Sequence, residues 1–145
     1  MCIRDRFITV DITAPLYWWK EYDTYKVGTV ANSTSTMHKI HSKSFEMSDF
    51  STDHMNEETI EFMEKNIEFL ENLRVKYNDT KDKTLWYSII QLLPESYNQM
   101  RTCTFSYENA VAMYYSRKNH KLDEWHTFCD WVTELPYFKE LFIQE

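Results

Sequence analysis

The stretch Tyr97-Asn98-Gln99-Met100-Arg101-Thr102-Cys103-Thr104-Phe105-Ser106, continued by Tyr107 to Lys118, decides the fold class. Residues 97–105 read as a short extended run. Ser106 then carries a hydroxyl able to accept from the first free N–H groups of a helix over 107–118, in which Val111, Tyr114 and Tyr115 are apolar. An extended run feeding directly into a capped helix belongs to a mixed chain. Residues 121–134 give a further helix with Trp125, Cys129 and Trp131 facing inward, stopped before Pro136.

Working outward, Phe7 to Leu16 alternates Phe7, Thr9 and Asp11 with Ile8, Val10 and Ile12, which predicts a strand stopped by Pro15. Tyr17 to Lys26 is aromatic and reads as helix, and Phe45 to Asn56 reads as polar linker. Over 56–77 the apolar side chains Ile60, Met63, Ile67, Leu70 and Tyr77 form one helical stripe, widened by Phe62, Asn66 and Leu73. Glu57, Glu58 and Glu61 at its start and Arg74 and Lys76 at its end suit the helix dipole. A second helix runs from Lys83 to Leu93, ended by Pro94. Helices with a few strands and no internal repeat predict an α+β fold, with helices packed on a small sheet and residues 1–145 in a single domain.

Composition narrows the function. A net charge of −7 argues against a nucleic-acid backbone as partner. No apolar run is long enough for a membrane helix. Cys2, Cys103 and Cys129 show no CxxC spacing and no export signal precedes them, so they read as reduced thiols of a cytoplasmic protein. Met1 to Asp5 reads as translated adapter sequence, so no function is assigned to Cys2, Arg4 or Arg6, and the N-terminal part of the domain is expected to be missing. The single glycine excludes the GxGxxG and GxxxxGK[ST] loops of Rossmann and P-loop enzymes. No metal site is expected, because His38 and His41 have no carboxylate or thiol at helical spacing.

Positive charge is concentrated in two distant segments. Residues 20–43 carry four lysines against Glu21 and Asp23, and residues 101–121 carry Arg101, Arg117, Lys118 and Lys121 against Glu108. Between them, residues 44–100 carry five basic and twelve acidic groups. If the fold joins the two basic segments, they form an anion site; the alternative is two unrelated surface patches. The first segment holds Gly28 among Thr24, Tyr25, Lys26, Thr29, Asn32, Ser33, Thr34, Ser35 and His38. So many small donors around the one glycine read as a ligand loop, in which backbone N–H groups and hydroxyls can hold a phosphate. The alternative is that these groups cap helices and satisfy buried backbone.

In order and spacing, these segments resemble the flavin-dependent thymidylate synthases. That family carries a Leu-Pro, a run to an asparagine opening a helix, an arginine closing it, and an Ala-Gln-x-Glu helix start. Leu93-Pro94, Ser106 and Arg117 fall at this spacing, with Leu122-Asp123-Glu124-Trp125 at the last element. The family fingerprint, Arg-His-Arg followed by Asn-Glu-x-Ser and a Gly-Arg-Tyr-type ending, is met by Thr24-Tyr25-Lys26, Asn32-Ser33-Thr34-Ser35 and Thr36-Met37-His38. Only Lys26 keeps a charge in the first cluster, Met37 stands for the later arginine, and Ser106 for the asparagine.

The resemblance implies Thr24, Tyr25, Lys26, Asn32 and Ser106 as FAD-binding residues. It implies Ser35, His38, Asn98, Gln99 and Arg117 as binding deoxyuridine monophosphate (dUMP), with Arg117 also the catalytic candidate at the base. The implied reaction is reductive methylation of dUMP to dTMP, with methylenetetrahydrofolate as folate substrate and NADPH as reductant, in a homotetramer. Two other readings stay open: a catalytically lost nucleotide-binding or assembly protein of the same fold, and a small helical interaction module with no ligand.

Overall fold

The computed structural model describes residues 3–33 and 36–143. In chain order the elements are β1 (Phe7–Pro15), α1 (Leu16–Tyr22), β2 (Thr29–Ser33), α2 (Thr36–Lys39), α3 (Glu57–Thr80), α4 (Lys83–Leu92), β3 (Asn98–Ser106), α5 (Tyr107–Arg117), α6 (Asp123–Thr133) and α7 (Phe138–Phe142). A 3-10 turn spans Met47–Asp49. The chain divides into two compact units: unit 1 holds residues 1–14, 18–32 and 101–145, and unit 2 holds residues 15–17 and 33–100. No helix among the described residues is long and apolar enough to cross a membrane. The α+β class expected from the strand-to-helix stretch is what the elements show.

Three strands form one sheet in the order β1-β3-β2. Thr9 Oγ1 meets Thr104 Oγ1 at 3.0 Å, and Thr102 Oγ1 donates to Asp11 Oδ1 at 2.6 Å. Each step forward on β1 pairs with a step backward on β3, so these two run antiparallel. The alternation in β1 is real: Ile8 and Ala14 are buried while Thr9, Asp11 and Thr13 face outward. β3 buries Cys103 and Phe105 on one face.

The core of unit 1 is aromatic. Trp18, Trp19, Tyr22, Phe105, Trp125 and Phe138 are almost fully buried, and the Trp18 ring lies 4.7 Å from Trp125 and 4.8 Å from Trp19. In α6 the inward positions are Trp125, Phe128, Cys129 and Val132, whereas Trp131 is half-buried. Tyr115, expected among the apolar positions of α5, is half exposed. Cys103 and Cys129 are free thiols inside this unit. Burial pushes both up, Cys129 to about 11, which disfavours the thiolate that a nucleophile needs.

Unit 2 is built on the α3–α4 hairpin over a mainly aliphatic cluster of Ile40, Phe45, Phe50, Met63, Ile67, Leu70 and Ile89. Asn56 caps α3 by accepting from the Thr59 N–H at 2.9 Å, and Asp82 caps α4 by accepting from the Thr84 N–H at 2.9 Å. The α3 stripe is narrower than its sequence suggested. Met63, Ile67 and Leu70 are buried but Phe62 is 72% exposed, because the hairpin covers only one face of the helix. Residues 45–56 are not a loose linker: Phe45 and Phe50 enter the cluster, and Phe50 pairs with Tyr97 as an isolated antiparallel bridge. Lacking any period, that segment could not announce its packing.

Candidate functional site

The best-built constellation lies in unit 1, where the end of α1 meets the end of α5 and the start of α6. Arg117 closes α5. Its Nε donates to Tyr25 Oη at 2.8 Å and its Nη1 to Glu21 Oε2 at 2.7 Å. The guanidinium also lies over two rings, 5.0 Å from Trp125 and 5.4 Å from Tyr25. Only 15% of this side chain is exposed, against 41% for Glu21. Burial works against the charge of Arg117, but Tyr25 and Glu21 more than offset it and leave its pKa above the ordinary arginine value. His120 stands beside the pair, Nε2 3.9 Å from Glu21 Oε2. Its Nδ1 accepts from the Leu122 N–H at 3.2 Å, so the neutral ring carries its proton on Nε2, facing the carboxylate.

A second arginine repeats the pattern. Arg101 donates through Nη1 to Asp23 Oδ1 at 2.8 Å and lies 4.4 Å over the Trp19 ring. The two basic segments do come together, but through opposite charges: the arginines of residues 101–121 pair with the two carboxylates of residues 20–43. Each cation is matched before a ligand arrives.

The glycine segment begins as a turn and ends as a strand. Thr24 closes α1, its N–H and hydroxyl both donating to the Glu21 carbonyl. The Thr29 hydroxyl donates to the Tyr25 carbonyl. Gly28 has φ +76°, and a Cβ there would stand 2.9 Å from Asn109 Oδ1. Asn109 is the residue that sequence reasoning missed. Its Nδ2 donates to the Val27 carbonyl at 2.9 Å while its Oδ1 accepts from the Ser106 hydroxyl at 2.8 Å. The only glycine is therefore required, in part, by an amide of this same chain. A Ser-x-x-Asn spacing at a helix start was the available signal.

Thr29–Ser33, expected as a ligand loop, is strand β2, exposed along most of its length. Asn32 lies exposed on it, and Lys26 is exposed in the preceding turn with no carboxylate partner among the described residues. Ser106 is buried at the N-cap of α5, its Oγ accepting from the Asn109 N–H at 3.2 Å. It stands at the opposite end of that helix from Arg117. The structure thus brings Tyr25 and Arg117 into contact and keeps Ser106 apart from them.

In unit 2, Asn98 Oδ1 accepts from the Ser51 hydroxyl at 2.9 Å, and Gln99 is buried on β3. His38 lies exposed on α2 and lines a cleft with His41. Ser35 lies outside the described residues, as does Cys2. No cluster of three or more His, Cys, Asp or Glu able to hold a metal occurs among the described residues.

No protein-family model matches the chain, and no curated protein matches it in sequence. Solved structures do match. A crystal structure of the flavin-dependent thymidylate synthase ThyX from Helicobacter pylori, complexed with FAD and dUMP, is similar with a TM-score of 0.66 at 17% identity, covering 94% of this chain and 72% of that one. A second ThyX structure from the same organism with the same ligands gives 0.66 at 18% identity, covering 94% and 71%. Likeness at this identity speaks for the backbone alone, and it says that the chain has the α+β fold of the flavin-dependent thymidylate synthases.

Proposed function

We propose that this protein binds a pyrimidine nucleotide and FAD in the manner of the flavin-dependent thymidylate synthases. The observation that carries the reading is Arg117. In a fold whose solved examples hold FAD and dUMP, it is fixed by Tyr25, Glu21 and Trp125 where the family spacing puts the base-contacting arginine. Held on three sides, the guanidinium loses little freedom on meeting a uracil carbonyl. Lys26, exposed and without a carboxylate partner, meets a phosphate of the flavin, and Thr24, Tyr25 and Asn32 add hydroxyls and an amide nearby in sequence. This donor set fits one phosphate contact better than two, since Arg101 and Arg117 already face Asp23 and Glu21. Ser106 acts through the helix cap that positions α5. Ser35, His38, Asn98 and Gln99 keep the substrate role that the resemblance implies.

Bound reduced flavin supplies the reducing chemistry for methylating dUMP to dTMP, with methylenetetrahydrofolate as the one-carbon donor and NADPH as the reductant. The chain's own residues bind and orient, and no protein nucleophile is needed. The association is homotetrameric, as in the family that the sequence resembles.

A second reading keeps the binding and drops the turnover. The carboxylate matching of both arginines favours it, because a site prepared for several phosphates leaves its cations unmatched. One experiment separates the two. Purified protein is titrated with FAD, with and without dUMP, and the visible flavin absorbance and the melting temperature are followed in wild type, Arg117→Ala and Lys26→Ala. Saturable flavin binding and a dUMP-dependent rise in melting temperature, lost in Arg117→Ala, are expected. Colourless protein that gains no flavin overturns the cofactor assignment. Binding of both ligands without dTMP formation from methylenetetrahydrofolate and NADPH selects the second reading.

A further inference from the structure

Unit 2 carries an apolar groove of about 350 Å³ beside α3. Its floor is made of Phe45, Met47 and Ile67, which belong to the cluster of this unit or pack against it. Glu64, Glu68 and Glu71 line it too, and at i, i+4 and i+7 they share one side of the helix. The groove is formed before anything docks. Phe45 and Ile67 are buried in the cluster, and the Phe45 N–H donates to Glu71 Oε2 at 3.0 Å, tying the chain ahead of the 3-10 turn to α3.

Charge matching around this groove is incomplete. The nearby basic residues are committed to other carboxylates: Lys43 pairs with Asp49 at 3.0 Å, Lys65 with Glu61 at 2.7 Å and Arg74 with Glu71 at 2.5 Å. Glu64 and Glu68 keep exposed carboxylates with no hydrogen bond or ion pair among the described residues. Like charges one turn apart repel, so α3 carries this pair at a cost to itself. None of the residues lining the groove is basic. An apolar floor with two unmatched carboxylates on its rim is complementary to a surface that is apolar along one stripe and positive beside it. A basic amphipathic helix has that surface, and its side chains one turn apart repeat with the same rise as Glu64 and Glu68 on α3.

We propose that this groove docks a basic amphipathic helix of another protein, its apolar side chains entering between Phe45, Met47 and Ile67 and its Lys or Arg heads meeting Glu64 and Glu68. A second copy does not supply that helix, because no described helix of this chain carries two Lys or Arg residues three or four apart. The surface lies within unit 2 and needs neither flavin nor Arg117.

The test is fluorescence anisotropy of a labelled, alanine-based helical peptide of about 15 residues, titrated with the full chain at low salt. The peptide carries leucines along one stripe and lysines one turn apart beside it. Two control peptides have the same residues shuffled around the helix, or the leucines replaced by alanine. Wild type is compared with Glu64→Gln/Glu68→Gln and, for charge elsewhere, with Glu134→Gln/Glu140→Gln. All four glutamates are exposed, so both double variants keep the fold. Saturable binding of the patterned peptide is expected, weakened about fivefold or more in Glu64→Gln/Glu68→Gln and by added salt, and unchanged in Glu134→Gln/Glu140→Gln. Both control peptides should bind about fivefold or more weakly. No saturable binding, equal binding of either control peptide, or retention in Glu64→Gln/Glu68→Gln each overturns the proposal. Equal weakening in the two double variants overturns it too, since that is general attraction to an acidic chain. Self-association of wild type in sedimentation, lost in Glu64→Gln/Glu68→Gln, overturns it in favour of a second copy on this face. If the peptide binds wild type while neither dUMP nor flavin does, docking stands and only the thymidylate synthase reading fails.

Discussion

Unit 1 and unit 2 handle charge in opposite ways. Unit 1 takes in the basic residues 101–121 whole and the other basic segment as far as Asn32, and there Arg101 and Arg117 are paired with Asp23 and Glu21 and laid on Trp19 and Trp125. Unit 2 contains the most acidic stretch, and there Lys81 and Lys83 stand without carboxylate partners beside a cleft. Net charge along a sequence says how much charge a region brings, whereas a binding site depends on how much is left unmatched after folding. The cores differ in the same sense. Unit 1 buries tryptophans whose polar atoms, Trp18 Nε1 and Trp125 Nε1, find no partner among the described residues, while the unit 2 cluster is mainly aliphatic.

The largest expected effects compare the two cores. Trp125→Ala is expected to cost about 4 kcal/mol and Leu70→Ala about 3 kcal/mol, read by urea unfolding. Both residues are fully buried. A smaller loss for Trp125 would mean that its orphaned N–H already erodes what its area contributes, sharpening the contrast between the cores.

Next comes the matched arginine. Arg117→Met keeps the stem over Trp125 but leaves Glu21 and Tyr25 without their donor, and is expected to cost about 2 kcal/mol. Adding Glu21→Gln should recover part of that loss in a double-mutant cycle. A coupling near zero would show that the pair is not matched in solution and break the comparison at its centre.

Gly28→Ala is expected to cost about 1–2 kcal/mol from the left-handed backbone alone, and more from the contact with Asn109. In an Asn109→Ala background the steric part should vanish and the backbone part remain. Equal penalties in both backgrounds would release Gly28 from that contact.

The smallest effect belongs to unit 2. Arg74 donates to Glu71 at 2.8 and 2.5 Å, and the Phe45 N–H donates to it as well. The Arg74 bond, followed by the Phe45 N–H, holds the Glu71 carboxyl below its ordinary range despite partial burial. A depressed folded pKa contributes stability above the unfolded value of about 4.3, and that contribution is lost as pH falls through the folded value. Glu71→Gln should therefore flatten the loss of stability below about pH 4. An unchanged slope would place the acid sensitivity in other carboxylates.

Much of the architecture was legible because it obeys local rules. Asn56, Asp82 and Ser106 are N-caps, and α3, α4 and α5 begin directly after them. The strand before Pro15 alternates as its side chains do. Three elements escaped notice: β2 lies within a run of small polar residues, and α2 and α7 are too short to show a period. Phe45 and Phe50 looked like linker because isolated aromatics carry no pattern. Around the candidate site, the importance of Arg117 and of the turn at Gly28 was readable, but Glu21 and Asn109 were not. Glu21 lies 96 residues from Arg117 and Asn109 lies 82 from Val27, and no local rule reaches so far.

By itself, the sequence determined what depends on neighbours within a few residues: where α3, α4 and α5 start, which strand alternates, that one glycine must sit in a turn, and that dinucleotide loops are impossible. By contrast, α1 stops at Tyr22 rather than Lys26 and α3 runs on to Thr80. Only the tertiary structure decided which charges cancel. It turned two basic segments into matched ion pairs over tryptophan rings, and it left an unmatched pair of lysines in the most acidic part of the chain. The physical reason is range: capping and periodicity act over a few residues along the backbone, whereas charge matching acts over a few ångströms in space.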